Sequence, residues 1–195
     1  MSKGEETKQY IIEKAAPIFN TKGLAATAMS DIMEATKLSK GTLYLHFENK
    51  DILASSAVDY NMEQLSSKLK TELSQYKTAK QKLFAYLDFF IETNKPIVIG
   101  GCPMLNFGTE ADDTNELIKS KVNILVNKSQ KLLSDIINQG IQNGEFKPDW
   151  NADEFATMMF AMLEGGILIC RVAGENSKMK VINDNLKKMI TAQML

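Results

Sequence analysis

Residues 27–50 restrict the fold of this chain more than any other stretch, because they read as two short helices joined by a tight turn. Met29, Ile32 and Met33 recur at helical spacing and mark the buried side of the first helix. Thr27 stands where it can cap the free amides, and Asp31 falls in the first turn, where the helix dipole favours an anion. After a turn at Lys37 and Leu38, Ser39 is placed to cap the second helix. Leu43 and Phe47 take its core side, leaving Lys40, Thr42 and Tyr44 on a short, polar, cationic face. Such a face suits a duplex: ammonium and hydroxyl groups reach phosphate oxygens, and a thin helix start containing Gly41 approaches base edges closely. A generic helical hairpin with a solvated face would show the same pattern over so short a length.

The match is longer than a motif. Residues 10–53 resemble the DNA-binding domain of the TetR/AcrR family of bacterial regulators, most specifically in the run SKGTLYLHFENKDIL at 39–53, with Gly23, Thr27, Ile32, Leu38, Gly41, Tyr44, Phe47 and Lys50 at the family's positions. The resemblance implies an all-α protein: a three-helix helix-turn-helix DNA-binding domain (residues 1–50) on a helical ligand-binding and dimerisation domain (residues 51–195). It implies a homodimer that binds a double-stranded DNA operator of palindromic sequence and leaves it when a small-molecule effector binds. Carried over by position, Thr27, Tyr44, His46 and Lys50 would touch phosphates, and Ser39, Lys40, Gly41 and Thr42 would approach bases. Two positions depart from the family. Lys37 stands in a turn that usually holds glycine, and a positive φ there would cost a lysine about 1 kcal/mol. Leu45 is apolar where relatives are often polar, which bears on sequence preference.

The rest of the chain shows no sustained strand alternation, and its apolar residues recur at three- and four-residue spacing, for about nine helices in all. Breaks and caps place helices near 5–21, 50–76, 78–93, a short one after Cys102-Pro103, 113–144 opened by Asp113 and Glu116, 151–174 opened by Asn151 and Glu154, and 177–195. With 44% hydrophobic and 24% charged residues, the composition is that of a soluble globular protein. The acidic N-terminus lacks an apolar stretch, which predicts no signal peptide and a cytoplasmic protein. The apolar tract 155–173 carries Glu164, Arg171 and two glycines, and so predicts a buried interface helix and no membrane span. Net charge is only −1, and residues 1–50 hold seven lysines against six acids. DNA affinity would then come from a few placed lysines and helix N-termini, doubled by dimerisation, with a modest salt slope.

Gly165 and Gly166 are adjacent in a helix interior, where each glycine costs about 1 kcal/mol against alanine. Close backbone approach in a dimer interface with Leu168 and Ile169 would compensate; packing on another helix of the same chain would do so equally. A ligand-binding pocket is expected among Tyr86, Phe89, Phe90, Met104, Phe107, Leu125, Trp150, Met158, Met159 and Met162, with Asn106 or Glu110 as polar anchors. Eleven methionines make such walls adaptable and favour a hydrophobic or amphipathic effector. Cys102, at the start of a helix, is a candidate redox-sensing thiol. With one histidine and two cysteines there is no metal-ligand spacing, no cofactor is implied, and no nucleophile and base are paired as in an enzyme. A helical carrier or interaction protein without sequence-specific DNA binding is the competing reading.

Overall fold

The computed structural model describes residues 2–91 and 96–195. Over these the chain forms α1 (Lys3–Lys22), α2 (Met29–Thr36), α3 (Lys40–His46), α4 (Lys50–Leu73), α5 (Ala79–Phe89), α6 (Pro103–Ala111), α7 (Glu116–Gln142), α8 (Ala152–Ala173) and α9 (Ser177–Thr191). The all-α expectation holds, the one extended pairing among the described residues being an isolated bridge between Phe146 and Met194.

Local capping chemistry sets where most helices start. Ser2 Oγ accepts from the Glu5 amide while the Glu5 carboxylate accepts from the Ser2 amide, a reciprocal box that opens α1. Ser39 caps α3 through the Thr42 amide, Asn49 caps α4 through Ile52, Thr78 caps α5 through Gln81, and Asn151 caps α8 through Glu154. Two expected starts differ. Thr27 does not cap α2: its hydroxyl donates to Gly23 O at 2.6 Å, and Asp31 instead accepts from the Ala28 amide at 2.8 Å. The long helix α7 begins on Asn115, which accepts from the Ile118 amide, because residues 111–115 close a turn of their own on the Ala111 carbonyl. The fifth helix ends at Phe89, short of the expected end near Thr93, a residue that lies outside the described ones.

Contacts divide the chain into two units, residues 1–66 with 97–123, and residues 67–96 with 124–195. α6 therefore falls with α1–α3, a grouping that a sequence division at residue 50 does not show. In the first unit α1 packs on α2, α3 and α6, and Ile11, Phe19, Ile32, Leu43, Phe47 and Leu53 are fully enclosed. Each such side chain contributes roughly 1.5–3 kcal/mol on leaving water. In the second unit α5 and α8 pack on α9 around Leu83, Leu87, Met159, Leu186 and Ile190. Asn183 of α9 ties that packing by donating to the Leu87 carbonyl at 2.8 Å. α8 is long and apolar enough to cross a membrane, with a mean hydropathy of 1.6, and here Phe155, Met159, Leu163 and Ile167 are core residues.

Candidate nucleic-acid interface

Ile32 of α2 and Leu43 and Phe47 around α3 are buried against α1, which orients the helix pair. Between them Lys37 has φ 59° and ψ 24°, the one non-glycine residue with positive φ among those described, and its amide donates to Met33 O at 2.8 Å. Buried Thr36 donates to Ile32 O and accepts from the Leu38 amide, while the Tyr10 hydroxyl donates to the Thr36 carbonyl. The turn is thus held from both sides.

With its inner side locked, α3 presents Lys40, Gly41, Tyr44 and Leu45 to solvent. The Ser39 and Thr42 hydroxyls lie 3.0 Å apart at the helix start, and the Lys40 ammonium sits 5.8 Å from the Tyr44 ring centre. Leu45 is 81% exposed, so this face carries an apolar patch beside its polar groups. His46, the last residue of α3, is half-buried. Ahead of the pair, Lys22 donates to Asp31 at 2.7 Å, and that bond, with the Ala28 amide, holds the Asp31 carboxyl below the usual carboxylate range.

Two residues expected at phosphates are otherwise engaged. Thr27 is 1% exposed, with its hydroxyl turned inward to Gly23. Lys50 directs Nζ to the carbonyls of Leu24 at 2.8 Å and Thr27 at 3.2 Å. Both side chains shape the 23–27 loop from inside the lobe. Sequence reading also missed Glu110 and Asn106 as parts of this lobe: they lie four residues apart on α6, a spacing visible in the chain, but their partners are 86 residues away.

The candidate effector residues divide between the units. Met104 and Phe107 are buried on α6 in the first, and Asn106, expected as a polar anchor, spends its amide on Asn20 and Gly100. Glu110, the other expected anchor, accepts from the amides of Leu24 and Ala25. In the second unit Phe90 stacks between Tyr86 and Phe89, with centroids 5.2 and 5.0 Å away. Phe89 also lines a cleft of about 440 Å³ with Tyr76, Phe84 and Asp88. Trp150 and Met158 line another of about 450 Å³ with Phe155, and Trp150 packs 4.9 Å from the Phe146 ring. Met159 is fully buried on α8, where Met162 is half-buried, as is Leu125 on α7.

The glycine pair is corrected in one member. A Cβ on Gly166 would come within 2.8 Å of Ile182 and 2.9 Å of Met179, so its missing side chain admits α9 of the same chain. A Cβ on Gly165 would meet open space, and Leu168, Ile169 and Val172 stand exposed on α8. Cys102, expected as a candidate redox thiol, is a buried residue at 7% exposure. Among the described residues no three His, Cys, Asp or Glu side chains group to hold a metal.

A family model described as bacterial regulatory proteins, tetR family, matches residues 11–57, and one described as the tetracyclin repressor-like C-terminal domain matches residues 79–185. The chain is similar to a TetR-family transcriptional regulator of solved structure from Cytophaga hutchinsonii, at 37% identity and TM-score 0.96 over 100% of this chain and 98% of that one. A second, from Chloroflexus aurantiacus, is 35% identical with TM-score 0.94 over 100% and 98%. The transcriptional repressor DhaR of Mycobacterium sp. is 24% identical, covering 85% of this chain and 82% of its own length.

Proposed function

The chain belongs to the TetR family of bacterial transcriptional regulators, and from that premise we propose that it works as a homodimeric repressor released from a palindromic operator by a small hydrophobic effector. The observation that carries the reading is α3: its inner side is locked in the core while Lys40, Gly41, Thr42 and Tyr44 line the side open to a major groove. Ser39, Lys40, Gly41 and Thr42 approach base edges, and Tyr44 and His46 reach flanking phosphates. Leu45 offers apolar surface to thymine methyl groups. Thr27 and Lys50 contribute by shaping the loop ahead of α2, a change from the direct phosphate contacts implied by family position.

Dimerisation brings two α3 helices to successive major grooves about 34 Å apart. Leu168 and Ile169 beside Gly165 supply the interface in this reading. Residues 1–50 act as the DNA-binding domain and residues 51–195 as the effector and dimer domain, and the protein works in the cytoplasm. It carries out no catalysis: His46, the one histidine in the chain, sits on the DNA-reading helix. The aromatic cluster of α5 and the methionines of α8 favour an apolar effector.

The test is fluorescence anisotropy against the DNA flanking the protein's own gene, at two salt concentrations, with Thr42→Ala alongside. Tight, competitor-resistant binding that weakens in Thr42→Ala is the expected result. Wild-type binding no better than to a random polyanion would refute the regulator mechanism and favour a ligand carrier.

A further inference from the structure

The chain leaves α1 at Gly23, whose φ of +87° turns it away from the helix and strips the next two amides of helical acceptors. Both find the same carboxylate. Leu24 N–H donates to Glu110 Oε2 and Ala25 N–H to Glu110 Oε1, each at 2.6 Å. Glu110 lies on α6, so one side chain accepts two charge-assisted bonds from a loop far away in sequence. The fit leaves no room for a side chain, since a Cβ on Gly23 would stand 2.7 Å from Glu110 Oε2. From the other side Lys50 Nζ takes the Leu24 and Thr27 carbonyls. The loop is therefore held at its amides by an anion from α6 and at its carbonyls by a cation from α4.

A second tie runs one turn earlier on α6. Asn106 Nδ2 donates to the Asn20 carbonyl at 3.0 Å and to its side-chain oxygen at 3.1 Å, while Asn20 Nδ2 donates to Ile99 O at 2.7 Å and Gly101 O at 3.1 Å. Asn20 is buried, so these bonds form away from competing water. The end of α1 and the loop that launches α2 are thus both seated on α6. Residues 23–27 connect α1 to α2, and α2 with α3 forms the DNA-reading pair.

We propose that Glu110 is a positioning residue for DNA binding: without touching DNA, its carboxylate sets the 23–27 loop and through it the attitude of α2 and α3. This inference rests on the DNA-binding mode given under Proposed function. α6 lies inside the segment matched by the C-terminal domain model, so a residue of that segment helps set the reading head of the other.

Sign separates this role from simple electrostatics. Glu110→Gln removes a negative charge from a DNA-binding lobe, which by charge alone tightens binding. As a positioning change it puts an NH₂ group against a loop amide and weakens binding instead, by about tenfold for the loss of charge-assisted bonds. The experiment measures anisotropy on a duplex that the wild-type protein selects from a randomised pool, together with circular dichroism and amide exchange at Leu24 and Ala25. Asp113→Asn, an exposed charge change near the end of α6, is the control. Expected for Glu110→Gln are native helicity, faster exchange at both amides and about tenfold weaker binding, with the Asp113→Asn protein binding as tightly as wild type or more so. Glu110→Asp keeps the charge but shortens its reach; a folded Glu110→Asp protein is expected to lose affinity severalfold and serves if Glu110→Gln does not fold. Wild-type affinity in either folded variant overturns the proposal while leaving the DNA-binding reading intact. A wild-type protein that selects no duplex overturns both.

Discussion

Glycine at position 37 should relieve a backbone strain that alanine there retains, and the structure supplies the size of the effect. Lys37 ends α2 at φ 59° and ψ 24°, the left-handed region in which Cβ crowds the following carbonyl. That conformation costs an L-residue roughly 1–2 kcal/mol. Glycine escapes the strain but loses about 0.5–1 kcal/mol more backbone freedom on folding, so the net gain is about 0.5–1 kcal/mol. The lysine charge at a helix C-terminus contributes in the opposite direction, on the order of 0.3–1 kcal/mol at an exposed site. Lys37→Ala isolates that contribution because it keeps Cβ and removes the charge, so the quantity to read is the difference between the glycine and alanine proteins. Glycine should exceed alanine by about 0.5–1 kcal/mol, or roughly 1–4 °C in Tm for a chain of this size. The assay is urea unfolding followed by circular dichroism at one fixed protein concentration, since the midpoint of any self-associating protein moves with concentration. Equal midpoints for the two variants, or a lower one for glycine, would refute the assignment of strain to this turn. The Lys37 amide, which bonds Met33 O, is present in all three proteins and cannot account for any difference.

The dimer reading predicts that Leu168→Glu with Ile169→Glu gives a folded monomer by light scattering; a persistent dimer would move the interface elsewhere. Gly166→Leu should instead lower the unfolding free energy by about 1–3 kcal/mol, because the new side chain collides with Ile182 and Met179 inside the protomer. Asp31, held below the ordinary carboxylate range first by Lys22 and then by the Ala28 amide, binds its proton more readily unfolded than folded. Its stabilisation is therefore complete above about pH 4 and disappears as pH falls through the lower folded pKa. Asp31→Asn should be less stable than wild type near pH 6, with the gap closing as pH falls below the ordinary carboxylate range in a pH series of urea midpoints; a constant gap would refute the coupling.

Features decided within one or two turns of chain were legible from residues alone. The Ser39, Asn49 and Asn151 caps, the apolar inner sides of α2 and α3 and the outward Lys40, Thr42 and Tyr44 each depend on neighbours three or four positions away. Even the strain at Lys37 could be anticipated, because the family that this segment resembles usually holds glycine in that turn. Asp113 and Glu116 show where local reading fails, because the pattern of a capping box was present while the turn on Ala111 moved the helix start to Asn115.

Beyond that range, spacing carries no information about partners. Thr27 and Lys50 look like surface hydroxyl and ammonium groups, and only the folded loop shows that one is enclosed and the other holds its carbonyls. Gly166 could have faced another protomer or its own, and the approach of α9 decides for its own. Asn106 and Glu110 sit on a helix of the C-terminal domain match, yet their hydrogen-bond partners are Asn20, Leu24 and Ala25. Residue types and helical period determined an all-α chain with a two-helix hairpin, because both are properties of neighbours along the chain, and the family resemblance of residues 10–53 marked that hairpin as DNA-reading. Tertiary structure alone decided which polar groups remain free for a ligand and which hold the fold, because a buried donor takes whichever acceptor packing brings within reach.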